Sequence, residues 1–158
     1  MTSIKQNLSK IREFLESKDI DAFIVPHDDE YLSEYIPPEN ERLAWATGFT
    51  GSAGMAVISL ENASIFVDGR YTIQVKEQVD SSLFSILDIT KDPVSKWINQ
   101  NHSSGGKIGY DPKMHRANWK NIFEKKLNNN IVLKPLKENP IDIFWIDRPK
   151  AVIEPAFL

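Results

Sequence analysis

Residues 48–71 read GFTGSAGMAVISLENASIFVDGRY. Two short apolar runs, MAVIS (55–59) and SIFV (64–67), flank the segment LENA, with Glu61-Asn62 at the turn. That pattern predicts a β-hairpin. Gly48, Gly51 and Gly54 stand evenly spaced ahead of it, and Asp68-Gly69-Arg70-Tyr71 follows it. A dinucleotide loop needs its glycines after a strand and before a helix, so that the helix N-terminus faces the phosphates. Here they follow a predicted helix and precede a hairpin. Their spacing is GxxGxxG, and no Walker lysine-serine pair comes after them. The simpler account is a tight connection, where glycine permits positive φ and close approach of two backbones. Gly51-Ser52-Ala53-Gly54 is equally unlike a serine nucleophile elbow, which joins a strand to a helix.

Outward from the hairpin, strands and helices alternate. Ile4, Leu8, Ile11 and Leu15 line one face of a helix, with Thr2 or Ser3 as its cap. AFIV (22–25) is a buried strand ahead of Pro26. HDDEYLSEYIPPEN (27–40) is polar and interrupted by proline, hence a long loop. Asp28, Asp29 and Glu30 are expected to be solvated there, and Tyr31 and Tyr35 to fasten the loop to the body. Pro38 opens a short helix running to Ala46, which Gly48 ends. After the hairpin come a helix over Tyr71–Val79, a strand over Leu83–Leu87 and a helix with Asp92 as N-cap and Pro93 at its first position. A strand over Lys107–Tyr110, a helix over His115–Leu127 and a strand IVLKPL complete the alternation. The expected fold is three-layer α/β/α, with a mixed sheet and helices on both faces.

Bulk properties bound the function. The chain has 158 residues, enough for one domain. It carries 19 basic and 22 acidic residues, a net charge of −3, which argues against a large basic face for nucleic acid. It has no cysteine, so disulfides, thiolate metal sites and cysteine nucleophiles are excluded, and a cytoplasmic location fits. No apolar run approaches the ~20 residues of a membrane span. The histidines are His27, His102 and His115. His27-Asp28-Asp29-Glu30 is the densest group of potential metal ligands, but consecutive loop side chains splay rather than converge.

Asp68-Gly69-Arg70-Tyr71 sits between a strand and a helix, where open α/β sheets place ligand-contacting groups. Arg70 offers a planar fork suited to a carboxylate or carbonyl. On physics alone the plainer account is structural: Asp68 caps the next helix and Arg70 pairs with it. The tryptophans most simply pack the core or a domain junction, while Trp45, beside the glycine loop, is a weaker candidate for facing a cleft. Phe49 is expected to anchor that loop.

Taken together, ERLAWATGFTGSAGMAVIS, ASIFVDGRYTIQVKEQVD, HDDEYLSEYIPPENERLAW, GYDPKMH and IDIFWIDRP resemble the N-terminal domain of the Xaa-Pro aminopeptidases in their long, three-domain form. The resemblance runs from about Ile20 to the end. It implies a ribonuclease-H-like creatinase/prolidase N-terminal fold over residues 1–140, with 141–158 opening a linker and Pro140, Pro149 and Pro155 stiffening the connection. It also implies that the chemistry lies in a separate C-terminal domain. That domain would hold two divalent metals, usually manganese, which activate water against peptides with proline second. None of the three histidines belongs to that metal set, so no catalytic or metal-binding residue is expected in this chain. Its own part would be to wall the substrate cleft, with Arg70, and more weakly Trp45 and Tyr71, touching the peptide. The expected partners are peptide substrates, the catalytic domain and a second copy in a homodimer, with neither nucleic acid nor membrane. Two other outcomes stay open: a binding module like the inactive aminopeptidase-like regions of histone chaperones, and a sister activity such as prolidase or creatinase.

Overall fold

The structure, a computed structural model, describes residues 2–153. Pro155 and the last residues of the expected linker lie outside the described residues. Six strands form one sheet in the order β4-β3-β2-β1-β5-β6. They are β1 (Ala22–Pro26), β2 (Met55–Ser59), β3 (Ala63–Val67), β4 (Ser85–Asp88), β5 (Gly106–Tyr110) and β6 (Ile131–Pro135). The expected hairpin is present: β2 pairs antiparallel with β3, Met55 opposite Phe66. β2 is also antiparallel to β1, and the remaining pairings are parallel. β2 alone therefore runs against the other strands. The C-terminal ends of β1, β3, β4, β5 and β6 share one end of the sheet with the start of β2.

Helices cover both faces, as the unbroken apolar strands require. α1 (Ile4–Ser17), α2 (Arg42–Thr47), α3 (Thr72–Gln78) and α6 (Pro140–Phe144) lie on one side. There Leu8, Ile11, Leu43, Val75 and Ile141 pack against Phe23, Val25, Ile58 and Ile65. α4 (Val94–Asn101) and α5 (Trp119–Glu124) cover the other side, where Ile98, Trp97 and Phe123 meet Ile24, Val57, Phe66 and Leu133. Alternation along each strand divides its side chains between the two layers. Burying each large apolar side chain contributes about 1.5–3 kcal/mol.

Local chemistry sets the boundaries. Ser3, rather than Thr2, caps α1: its hydroxyl accepts from Gln6 N while Gln6 Oε1 accepts from Ser3 N. Gly48 ends α2 in the left-handed region at φ 84°. Several expected elements shift. The helix expected from Pro38 is split: a 3-10 turn over Pro38–Asn40 precedes α2, which begins only at Arg42. Pro93, at ψ 145°, is itself the N-cap of α4, and Asp92 pairs with Lys96 one turn on. β4 starts later than expected because Leu83 and Phe84 first close a turn onto the Asp80 carbonyl. α3 begins at Thr72, behind a 3-10 turn over Gly69–Tyr71. α5 is shorter than expected because His115 is extended (φ −132°, ψ 149°) and stacks its ring on Trp119 instead of entering the helix.

Candidate functional site

At the shared end of the sheet, β3 runs out at Val67 and the chain turns through Asp68-Gly69-Arg70-Tyr71. Asp68 caps that turn: Oδ1 accepts from Arg70 N at 3.0 Å. The same carboxylate takes the Arg70 fork, with Nε donating to Oδ1 at 3.0 Å and Nη2 to Oδ2 at 2.8 Å. The hydrogen bond from Arg70 holds the Asp68 carboxyl below its ordinary range, and Asp68 in return raises Arg70. The pair is local and wet: the Arg70 side chain is 68% exposed. Among the described residues Nη1 has no acceptor, so one edge of the fork remains for another group.

Tyr71 fixes this turn to the glycine loop. Its hydroxyl hydrogen-bonds the Ser52 hydroxyl and accepts from Ser52 N at 3.3 Å. Its ring stands edge-on to Phe49, which is 1% exposed and anchors the loop as expected. A Cβ on Gly51 would lie 2.2 Å from Phe49 Cζ and 2.8 Å from Tyr71 Cδ1. Gly51 thus answers a packing need, the approach of the loop to two rings. Gln78 closes the far side of the loop, its Oε1 accepting from Thr50 N and its Nε2 donating to Thr50 Oγ1, both at 2.9 Å. Arg70, whose guanidinium also lies 5.3 Å from the Tyr71 ring centroid, therefore projects from a braced base.

Trp45 faces another way. Its ring partner is Trp145, 6.2 Å away, beside a groove lined by Ile4, Pro38 and Pro149. The turn thus joins Arg70 and Tyr71, while Trp45 belongs with the C-terminal segment.

The loop after β1 departs from expectation. Asp29 is not solvated; it is fully buried and accepts from Tyr31 N, Ser33 N, Ser33 Oγ and Asn40 Nδ2 at 2.9–3.2 Å. Burial pushes its carboxyl up, but the donors from Ser33, Asn40 and Tyr31 outweigh this and hold it below its ordinary range. Glu30 pairs at 3.1 Å with Arg42, which is 4% exposed and makes a two-pronged contact with Asp142 at 2.7 and 3.0 Å. Tyr31 and Tyr35 do not fasten the loop: they are 78% and 84% exposed, because Asp29 already does so. Arg148 ties the C-terminal segment to the same place, reaching the Glu39 carbonyl and Asn40 Oδ1.

Among the described residues, no three His, Asp or Glu side chains converge as metal ligands, so they do not fit a metal centre. His27 is half-buried, and burial lowers its pKa against the opposing pull of Asp28, Glu41 and Asp29. No described helix is long and apolar enough to cross a membrane.

The sequence model described as "Creatinase/Prolidase N-terminal domain" matches residues 7–150. Xaa-Pro aminopeptidase 2 of Homo sapiens is 30% identical over 153 residues, 96% of this chain and 23% of its own length. The chain thus spans about a quarter of the length of the curated relatives it matches. An X-prolyl aminopeptidase from Caenorhabditis elegans, described as a cytosolic enzyme with a di-nuclear active site, superposes with a TM-score of 0.85. It is 26% identical, and the match covers 94% of this chain and 26% of that one. The N-terminal domain of the cytoplasmic peptidase PepQ from Mycobacterium tuberculosis has a TM-score of 0.67 at 17% identity, covering 87% of this chain and 97% of its own, a likeness of fold alone.

Proposed function

Because the chain belongs to the creatinase/prolidase N-terminal domain family, we propose that it serves as the non-catalytic first domain of a metal-dependent Xaa-Pro aminopeptidase. In this proposal the bond-breaking site, with its two divalent metals, lies in a catalytic domain outside this chain. Residues 1–140 form one wall of the substrate cleft, and 141–158 lead toward the following domains. The substrates are peptides with proline second, the whole enzyme is a cytoplasmic homodimer, and the metal is manganese.

One observation carries the proposal. Arg70 stands at the end of the sheet where the strand-end loops gather, most of its side chain in solvent. Asp68 fixes two of its nitrogens and Tyr71 fixes its base. Such a braced cation is suited to hold a distal carbonyl or carboxylate of a peptide while the scissile bond is positioned elsewhere. Relatives named as Xaa-Pro aminopeptidases over nearly all of this chain support the choice of peptide.

The test compares the 158-residue chain with the full-length protein, each with an Xaa-Pro peptide and added manganese. Turnover is expected only from the longer chain. Turnover by the pure domain, or none by the full-length protein, would overturn the proposal.

A further inference from the structure

Six of the seven glycines are explained from within the chain. Gly48 and Gly105 have φ in the left-handed region. At Gly51, Gly54, Gly106 and Gly109 an added Cβ would come within 3.2 Å or less of a neighbour. Gly69 is the exception. Its φ lies outside the left-handed region, and an added Cβ would meet no described atom within 4 Å. Glycine loosens the unfolded chain, so a glycine that neither turn nor packing requires forgoes stability. Among the described residues nothing needs the missing side chain.

The surroundings of Gly69 form a contact surface. Gly69 is exposed between Asp68 and Arg70. Asp68 fixes Arg70 through Nε and Nη2, and Nη1 has no acceptor among the described residues. Three residues after Arg70, Ile73 is 73% exposed, while Val75 of the same helix is buried. One apolar side chain in solvent is ordinary by itself. Here it stands beside a bare backbone and a braced guanidinium. The three together give a floor that a main chain can approach closely, a donor for its oxygen and an apolar side wall.

We propose, resting on the function given above, that Gly69 is the floor of the substrate subsite beyond the scissile bond. The peptide main chain crosses close over Gly69. The carbonyl or carboxylate of the residue after the proline accepts from Arg70 Nη1, and the side chain of that residue lies against Ile73. This arrangement selects peptides of three or more residues whose third residue is apolar.

The test uses the full-length protein with Ala-Pro, Ala-Pro-Leu and Ala-Pro-Gly as substrates. In Gly69→Ala the ratio of kcat/KM for Ala-Pro-Leu over Ala-Pro should fall about ten-fold, and in Gly69→Leu further. Tm of both variants should equal or exceed that of the parent, because no described atom opposes the new side chain. Ile73→Asn should reduce the preference for Ala-Pro-Leu over Ala-Pro-Gly about five-fold. An unchanged ratio in the Gly69 variants, or an unchanged leucine preference in Ile73→Asn, would overturn the proposal. A lower Tm in the Gly69 variants would also overturn it, by assigning the clearance to packing between domains. Arg70→Ala separates this inference from the reading beneath it. If Arg70→Ala turns over every substrate like the parent, the peptide contact itself fails and the subsite with it. If Arg70→Ala is impaired while the Gly69 variants keep the parent's ratio, the subsite alone fails.

Discussion

Tyr71 stands edge-on to Phe49, with ring centroids 5.5 Å apart and planes at 85°. That pair is the link between the glycine loop and the turn bearing Arg70, and Gly51 is the residue that lets it form. A methyl group at position 51 would press on both rings. Gly51→Ala should therefore cost about 1–3 kcal/mol through overpacking. Thermal unfolding of the domain reads this directly, and an unchanged Tm would show that the loop yields freely.

Tyr71→Phe keeps the ring contact and removes the hydroxyl that holds Ser52. We expect a loss of about 0.5–1.5 kcal/mol, read as a lower midpoint in denaturant at unchanged slope. A variant as stable as the parent would mean that solvent replaces this tie without cost.

Arg70→Ala should leave Tm in place, since among the described residues its one charged partner is the neighbouring Asp68 and the Arg70 side chain is largely in solvent. On the proposed function, kcat/KM of the full-length enzyme for an Xaa-Pro peptide should fall ~10-fold or more. Arg70→Lys should not restore it, because an ammonium cannot reproduce a two-pronged fork. Unchanged kinetics in Arg70→Ala would remove Arg70 from the substrate contacts.

Asp29→Asn puts an amide nitrogen among groups that donate to the present carboxylate. A loss of about 2–3 kcal/mol is expected. The carboxyl is held below its ordinary range in the fold, so its contribution is present above the unfolded pKa of about 4 and is lost as pH falls through the lower folded value. Urea midpoints measured down through pH 4 should fall more steeply for the parent than for Asp29→Asn. Parallel curves would contradict this assignment.

His115 is half-buried against Tyr110 and Trp119, and that burial pushes its pKa down to about 4. Its Nε2 has no partner among the described residues. The unfolded chain takes up this proton first, so stability should be full above about pH 6.5 and decline as pH falls toward 4. His115→Phe retains the stacking and removes the proton. Its Tm should drop less between pH 7 and pH 5 than that of the parent, and an equal drop would assign the dependence to other groups.

The elements and their order were legible because each has a local cause. The spacing of Ile4, Leu8, Ile11 and Leu15 gives α1, the LENA turn gives the hairpin, and Gly48 closes α2. The motif around Arg70 was legible as well, since Asp68 and Arg70 pair within the turn they form. Arg42 was not. It sits beside Leu43 in a short helix like any surface arginine, and its partner Asp142 is 100 residues away. Asp29 was equally hidden: in a run of acidic residues it looks solvated, and only Ser33 and Asn40, folded around it, supply the donors that pay for its burial.

By itself the sequence determined the mixed α/β alternation, the capped and glycine-ended helices, and the family, because periodicity, turn chemistry and short motifs act over a few residues. The tertiary structure decided which charges are buried, which tyrosines are left in solvent, and why the glycines stand where they do. A buried charge is stable only with donors or counter-charges around it, and a missing Cβ matters only against atoms brought in from elsewhere. Those neighbours, Asp142 for Arg42 and Tyr71 for Gly51, come together only when the chain folds.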